Sequence, residues 1–120
     1  MNYTKFTNVE AENFKANKFD GKIEDQRALN AATVSMSVDT TLTAAQKNTL
    51  AVLFTCSAAS KALTLGLSDG QVMFVANIGG TNAVTVKAIS GDTGTSVGAG
   101  KVAIVIASST ANTSKIYVLN

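Results

Sequence analysis

From residue 31 to residue 120 this chain predicts a mainly β fold: a compact β-sandwich, jelly-roll-like or barrel-like body. Three observations carry that expectation. The segment is rich in Ala, Val, Thr, Ser, Gly and Ile and holds only eight of the eighteen charged residues, a composition that favours pleated, half-buried strands. Its apolar residues fall into short runs. Turn-forming clusters separate those runs at intervals typical of a sandwich or barrel.

Residues 1–30 differ in kind and predict an extended, mostly irregular N-terminal arm. They hold the other ten charges, and four of the seven aromatics: Tyr3, Phe6, Phe14 and Phe19. The aromatics follow no sustained helical or strand period, and the segment is too charged to build a core alone. Disordered tails are usually poor in aromatics, whereas spaced rings in a charged arm suit docking into a partner's pockets. Tyr3, Phe6, Phe14, Phe19 and Ile23 are the candidate docking residues, with Asp20-Gly21 marking a tight turn between the last two. The alternative is an arm that folds back on its own body.

In the body the expected strands are 33–38, 50–56, 61–65, 71–77, 83–88, 101–107 and 115–119. Ser68-Asp69-Gly70, Gly79-Gly80, Ser90-Gly91-Asp92 and Gly98-Ala99-Gly100 supply turns between them. Thr43-Ala44-Ala45-Gln46 matches a capping box and predicts one helical turn from Ala44 to about Asn48, or a tight turn that reads alike. No internal repeat of fixed period is visible.

The stretch Ser68–Asp92 reads as a hairpin about Gly79-Gly80-Thr81-Asn82. In a half-exposed antiparallel hairpin one face of each strand should be polar. Here Val72, Phe74, Ala76 and Ile78 share one face, yet Met73 and Val75 lie on the other. The run 101–107 repeats the pattern, with Val102, Ile104 and Ile106 opposite Ala103, Val105 and Ala107. The last strand sets Ile116 and Val118 against Tyr117 and Leu119. Small, smooth side chains (Ala, Val, Met) are expected to face outward and to admit another subunit. Burying a further ~1,000 Å² of apolar area per chain would yield about 25 kcal/mol, more than the roughly 4–15 kcal/mol cost of association. Met73, Val75, Ala103, Val105, Tyr117 and Leu119 are the candidate residues of a subunit interface or of the core. The competing account is a closed monomeric barrel filled by these side chains.

The residue types that are missing exclude much chemistry. There is no histidine, and the single Cys56 permits neither an internal disulfide nor a cysteine-based zinc site. Cys56 sits in an apolar run and is expected to be a buried, inert thiol. No catalytic residue, cofactor or metal is expected. Glu24 and Asp25 are adjacent acids in the charged arm, where a solvated surface role fits. Asp39, Asp69 and Asp92 sit at turns, where aspartate caps its own backbone. The net charge of +2 gives no electrostatic footprint for nucleic acid. The polar opening MNYTKFTNVEAENFK is not a signal peptide, and no apolar run reaches the roughly 20 residues of a membrane span. Synthesis and assembly in a reducing cytosol are therefore expected.

Three segments carry a resemblance: ENFKANKFDGKIEDQRALNAATV in the arm, LTLGLSDGQVMFVANIGGTNAVTVKAISGDTGTSVGAGKVAIVIAS in the body, and the closing KIYVLN. Together they span nearly the whole chain, which resembles the phage head fiber proteins, small capsid-surface proteins of tailed phages. The resemblance implies a homotrimer on the outer surface of the virion. It implies attachment through the N-terminal part to the major capsid protein or another capsid-surface protein, and assembly in the host bacterial cytoplasm. Some head fibers carry a long stalk. No heptad repeat is present here, so a compact knob or decoration protein is expected. The alternative function is a carbohydrate- or host-surface-binding β module of a phage fiber or tail. Such a module would need exposed aromatics with polar neighbours. The body offers only Phe54, Phe74 and Tyr117, and the two phenylalanines lie in apolar runs.

Overall fold

A computed structural model describes residues 30–119, and the body they form is mainly β. The elements run β1 (Ala31–Met36), β2 (Thr40–Thr41), α1 (Ala44–Lys47), β3 (Ala51–Cys56), β4 (Lys61–Thr64), β5 (Val72–Asn77), β6 (Val84–Lys87), β7 (Thr95–Val97), β8 (Val102–Ile106) and β9 (Lys115–Leu119). All seven expected strands are present within two residues at each end. Two short ones, β2 and β7, were not expected. The capping box forms: Gln46 N–H donates to Thr43 Oγ1 at 3.3 Å, and Thr43 N–H donates to Gln46 Oε1 at 2.9 Å. Both groups would otherwise be orphans at the start of α1.

The connectivity differs from the expected one. Strands β1-β3-β5-β8-β9 make a five-stranded sheet and β2-β4-β6-β7 a four-stranded one. Consecutive strands up to β6 thus alternate between sheets, and each pairs in parallel with the strand one coil earlier. The chain winds as a short solenoid of three coils. Only β7, β8 and β9 then return antiparallel. The segment Ser68–Asp92 is therefore no hairpin, because β5 and β6 belong to different sheets. The sheets do not close into a barrel among the described residues: β1 and β9 are the edges of one, β2 and β7 of the other.

A coiled repeat is present after all. Ala31 pairs with Ala51, an advance of 20 residues. Ala51 then pairs with Phe74 and Thr40 with Leu63, each an advance of 23. Lys61 with Val84 is again an advance of 23, so only the first step differs and no single period runs through all the coils. The strands of the smaller sheet do share a pattern, Thr40-Thr41-Leu42, Leu63-Thr64-Leu65 and Val84-Thr85-Val86. The register nevertheless sets Leu63 beside Val86 and not beside Val84.

Both sheets turn one face to a single core. The larger sheet contributes Val34, Met36, Val52, Phe54, Cys56, Met73, Val75, Ala103 and Val105. The smaller sheet and its flanks contribute Leu42, Leu63, Leu65, Val84, Val86 and Val97. Cys56 is buried as expected, with its Sγ 3.1 Å from the Ala58 carbonyl oxygen. Asn77 is the buried polar side chain at the end of β5. Its Nδ2 donates to the carbonyls of Asn82 (2.8 Å) and Val97 (3.0 Å), and its Oδ1 accepts from Gly79 N–H (3.1 Å). Three hydrogen bonds thus replace the water that burial removed, and they tie β5 to the next turn and to β7. The return into β7 passes Gly94 at φ +91°. A Cβ there would stand 2.7 Å from Thr85 Cγ2 and 2.8 Å from the Val86 carbonyl oxygen. Glycine is required at Gly94 by both its backbone angle and its neighbours.

The turn aspartates cap backbone, but mostly not their own. Asp39 accepts from Ala62 N–H (2.9 Å) and Asp69 from Ser109 N–H (3.0 Å). Asp92 is buried and accepts from Asn112 N–H at 2.7 Å and from Ile89 N–H at 3.3 Å. Only the last of these bonds is local. The others fasten one coil, or the closing loop, to another part of the chain.

Candidate interaction surface

The outward face of the five-stranded sheet is built row by row by the register. One row runs Ala51, Phe74, Ile104 and Tyr117 across β3, β5, β8 and β9. A second runs Leu53, Ala76, Val102 and Leu119, and a third pairs Val72 with Ile106 and Lys115. These residues are apolar except Lys115, which stands on the edge strand. Several stay well open to solvent: Tyr117 is 55% exposed, Leu119 46%, Val72 46%, Ile106 41% and Phe74 38%. Ile78, just past β5, continues the face and is likewise exposed. Toward the other edge the face turns polar, through Thr55 on β3 and Thr33 and Ser35 on β1.

The outward face of the smaller sheet contrasts with it. Its rows are Thr41, Thr64 and Lys87, then Ala62, Thr85 and Ser96. Hydroxyls and an ammonium group meet water there, as they do on the solvated side of an ordinary sheet. The body therefore has one polar flank and one apolar flank.

The predicted residues divide between inside and outside. Met73, Val75, Ala103 and Val105 are fully buried in the core, whereas Tyr117 and Leu119 lie on the exposed face. The expectation that small Ala, Val and Met side chains point outward is corrected. On β5 and β8 the bulkier set, Val72, Phe74, Ile104 and Ile106, points out, and Met73, Val75, Ala103 and Val105 point in. One signal could have fixed the direction. Lys115 must keep its charge in water, so Tyr117 and Leu119, two and four residues on, must share its outward face. The candidate docking residues Tyr3, Phe6, Phe14, Phe19 and Ile23 lie outside the described residues, as does the Asp20-Gly21 turn.

A second feature is a polar pocket of about 170 Å³ between residues 92–95 and 112–116. Its one carboxylate, Asp92, already accepts two backbone N–H groups, and Asn112 Oδ1 accepts from Thr93 N–H at 2.6 Å. These polar groups are spent on holding the loops together. Among the described residues no three of His, Cys, Asp and Glu gather as a metal site would require. No described helix is long and apolar enough to cross a membrane.

The sequence matches no protein-family model, no curated protein and no solved structure.

Proposed function

We propose that this chain is a structural virion protein, a homotrimeric head fiber or decoration protein on the outer surface of a tailed-phage capsid, attached through residues 1–30. The observation that carries the reading is the apolar outward face of the five-stranded sheet. A body this small gains from burying such a face against another protein surface. The resemblance of the arm and body segments to head fiber proteins selects a trimer and a capsid. Attachment through the arm draws on its spaced rings. Three tethered arms raise the effective concentration of each, so modest single contacts suffice.

Two measurements test this. The mass of the full chain in solution is expected to be that of a trimer, and a stable monomer at micromolar concentration would refute it. Chains without residues 1–30 are expected to remain folded trimers that no longer decorate capsids; decoration without the arm removes its role. Phe14→Ala and Phe19→Ala are each expected to weaken attachment by roughly 1–3 kcal/mol at limiting concentration.

The exposed rings of Phe74 and Tyr117 favour a second reading, a glycan-binding module. Sugar recognition pairs a ring with polar groups, yet Ile104, Ile106, Val102 and Leu119 surround Tyr117 across and along the strands, with Lys115 alone polar. Binding on a glycan array would favour this second reading over the first.

A further inference from the structure

We infer that the end of the body from which the arm leaves is a second contact surface for the capsid, built from the turns 47–50, 68–71, 89–93 and 108–113. The inference rests on the proposed attachment through the arm and adds to it the part of the body that meets the shell.

Topology gathers these turns at one end. β1, β3 and β5 are parallel, so all three start there. β8 runs antiparallel to β5, with Ile106 opposite Val72, and finishes there. β9 starts there, with Lys115 opposite Ile106. Asn30 precedes β1 at this same end, and its carbonyl accepts from Leu50 N–H at 3.0 Å. The far end carries the glycine turns Gly79-Gly80 and Gly98-Ala99-Gly100.

Two features point this end at the shell. The first is reach. Ile23, the candidate docking residue nearest the body, stands seven residues before Asn30, a span of at most about 25 Å. A six-residue strand is itself about 20 Å long. With Ile23 seated on the shell, the far end could face it only if residues 24–29 ran back almost fully stretched along the whole body. The second feature is preorganisation. Gln71 Nε2 donates to the Lys47 carbonyl at 2.8 Å. Gly70 N–H donates to the Ala107 carbonyl at 2.8 Å, and Ser109 N–H to Asp69 Oδ1 at 3.0 Å. Asn112 N–H donates to Asp92 Oδ1 at 2.7 Å, and Asn112 Oδ1 accepts from Thr93 N–H at 2.6 Å. The four turns thus hold one another as a single plate, and loops already ordered lose less freedom on binding.

The chemistry of the plate defines its partner. Both carboxylates, Asp69 and Asp92, are turned to backbone N–H groups, while Ser90, Ser109 and Thr110 are exposed. Such a surface fits a polar, mostly uncharged face of a capsid protein. A contact of this kind is weak alone, and the arm supplies the effective concentration that fills it.

Thiol protection tests the inference. Ser90→Cys and Thr110→Cys place a thiol on this end, and Thr81→Cys places one on the far end; all three positions are exposed, whereas Cys56 is buried. Each full-length variant is treated with a bulky maleimide, free and after binding to capsids assembled without the chain, and read by gel shift. All three should label in the free chain, with Cys56 unlabelled as a check on folding. On capsids Thr81→Cys should label as in solution, and labelling of Ser90→Cys and Thr110→Cys should be lost. If both of these keep their solution rate on capsids, this end is not the contact, although attachment through the arm stands. Protection of Thr81→Cys alone would turn the body the other way up and overturn the inference. If the unsubstituted chain does not bind capsids, attachment itself fails and the inference falls with it.

Discussion

The two faces of the β5–β8 pair are made of the same kinds of residue and meet opposite fates. Met73, Val75, Ala103 and Val105 are sealed between the sheets, while Val72, Phe74, Val102 and Ile106 stand partly in water one position away. Buried Met73 is larger than exposed Val72 and Val102. Neither apolar content nor size alone therefore distinguishes core from surface. The side that the smaller sheet covers does.

The sharpest way to break this comparison is to place one charge on each side of the same strand. Val105→Asp buries a carboxylate with no partner and is expected to cost more than about 4 kcal/mol, enough to unfold the body. Ile106→Asp, its neighbour, loses only partial burial of a 41% exposed side chain and is expected to cost the dissociated body about 1–2 kcal/mol. Thermal unfolding followed by circular dichroism at low concentration reads both. Equal losses would mean that the outer face is part of the monomer's core.

The next largest effect comes from the two phenylalanines. Phe54 is fully buried, and Phe54→Ala is expected to cost about 3–5 kcal/mol through lost burial and the cavity left behind. Phe74→Ala removes a ring that keeps part of its water, so about 1–2 kcal/mol is expected in the dissociated body. Urea unfolding of the two variants should separate them at similar m-values. A costly Phe74→Ala in a monomer would erase the distinction drawn between the faces.

A smaller loss calibrates the scale from outside both faces. Asp92→Ala would leave the N–H groups of Ile89 and Asn112 without their acceptor, for about 1–3 kcal/mol. Hydrogen exchange should quicken in residues 89–94 and 108–114 while β3 and β5 stay protected. Uniform loss of protection would show that these loops hold the core and not only each other.

Much of this architecture was legible in the residues. The seven longer strands follow from β-branched runs between Gly, Asp and Ser turns, and α1 from Thr43 and Gln46, because those effects are local. The strands β2 and β7 were missed. Thr40-Thr41 and Thr95-Ser96-Val97 are too short and too polar to alternate visibly, and they become strands only beside β4 and β6. The candidate surface was half legible. Tyr117 and Leu119 could be placed by Lys115, whereas Phe74 and Ile106 could not be told from Met73 and Val105 by pattern.

The sequence by itself determined that residues 31–120 are β-rich, where most strands and turns fall, and that the β5 and β8 strands are apolar on both sides. Propensity, turn chemistry and period-two alternation act within a few residues and need no knowledge of the fold. Only the tertiary structure decided that strands alternate between two parallel-wound sheets, and which side of each strand faces in. Pairing in a solenoid joins residues 20 or 23 positions apart, and a two-residue slip in that register preserves every in–out alternation. The choice therefore rests on how side chains from different coils fill the space between the layers. The same long-range packing leaves Phe74, Ile106 and Tyr117 outside, on the face whose cover the chain does not supply from its own described residues.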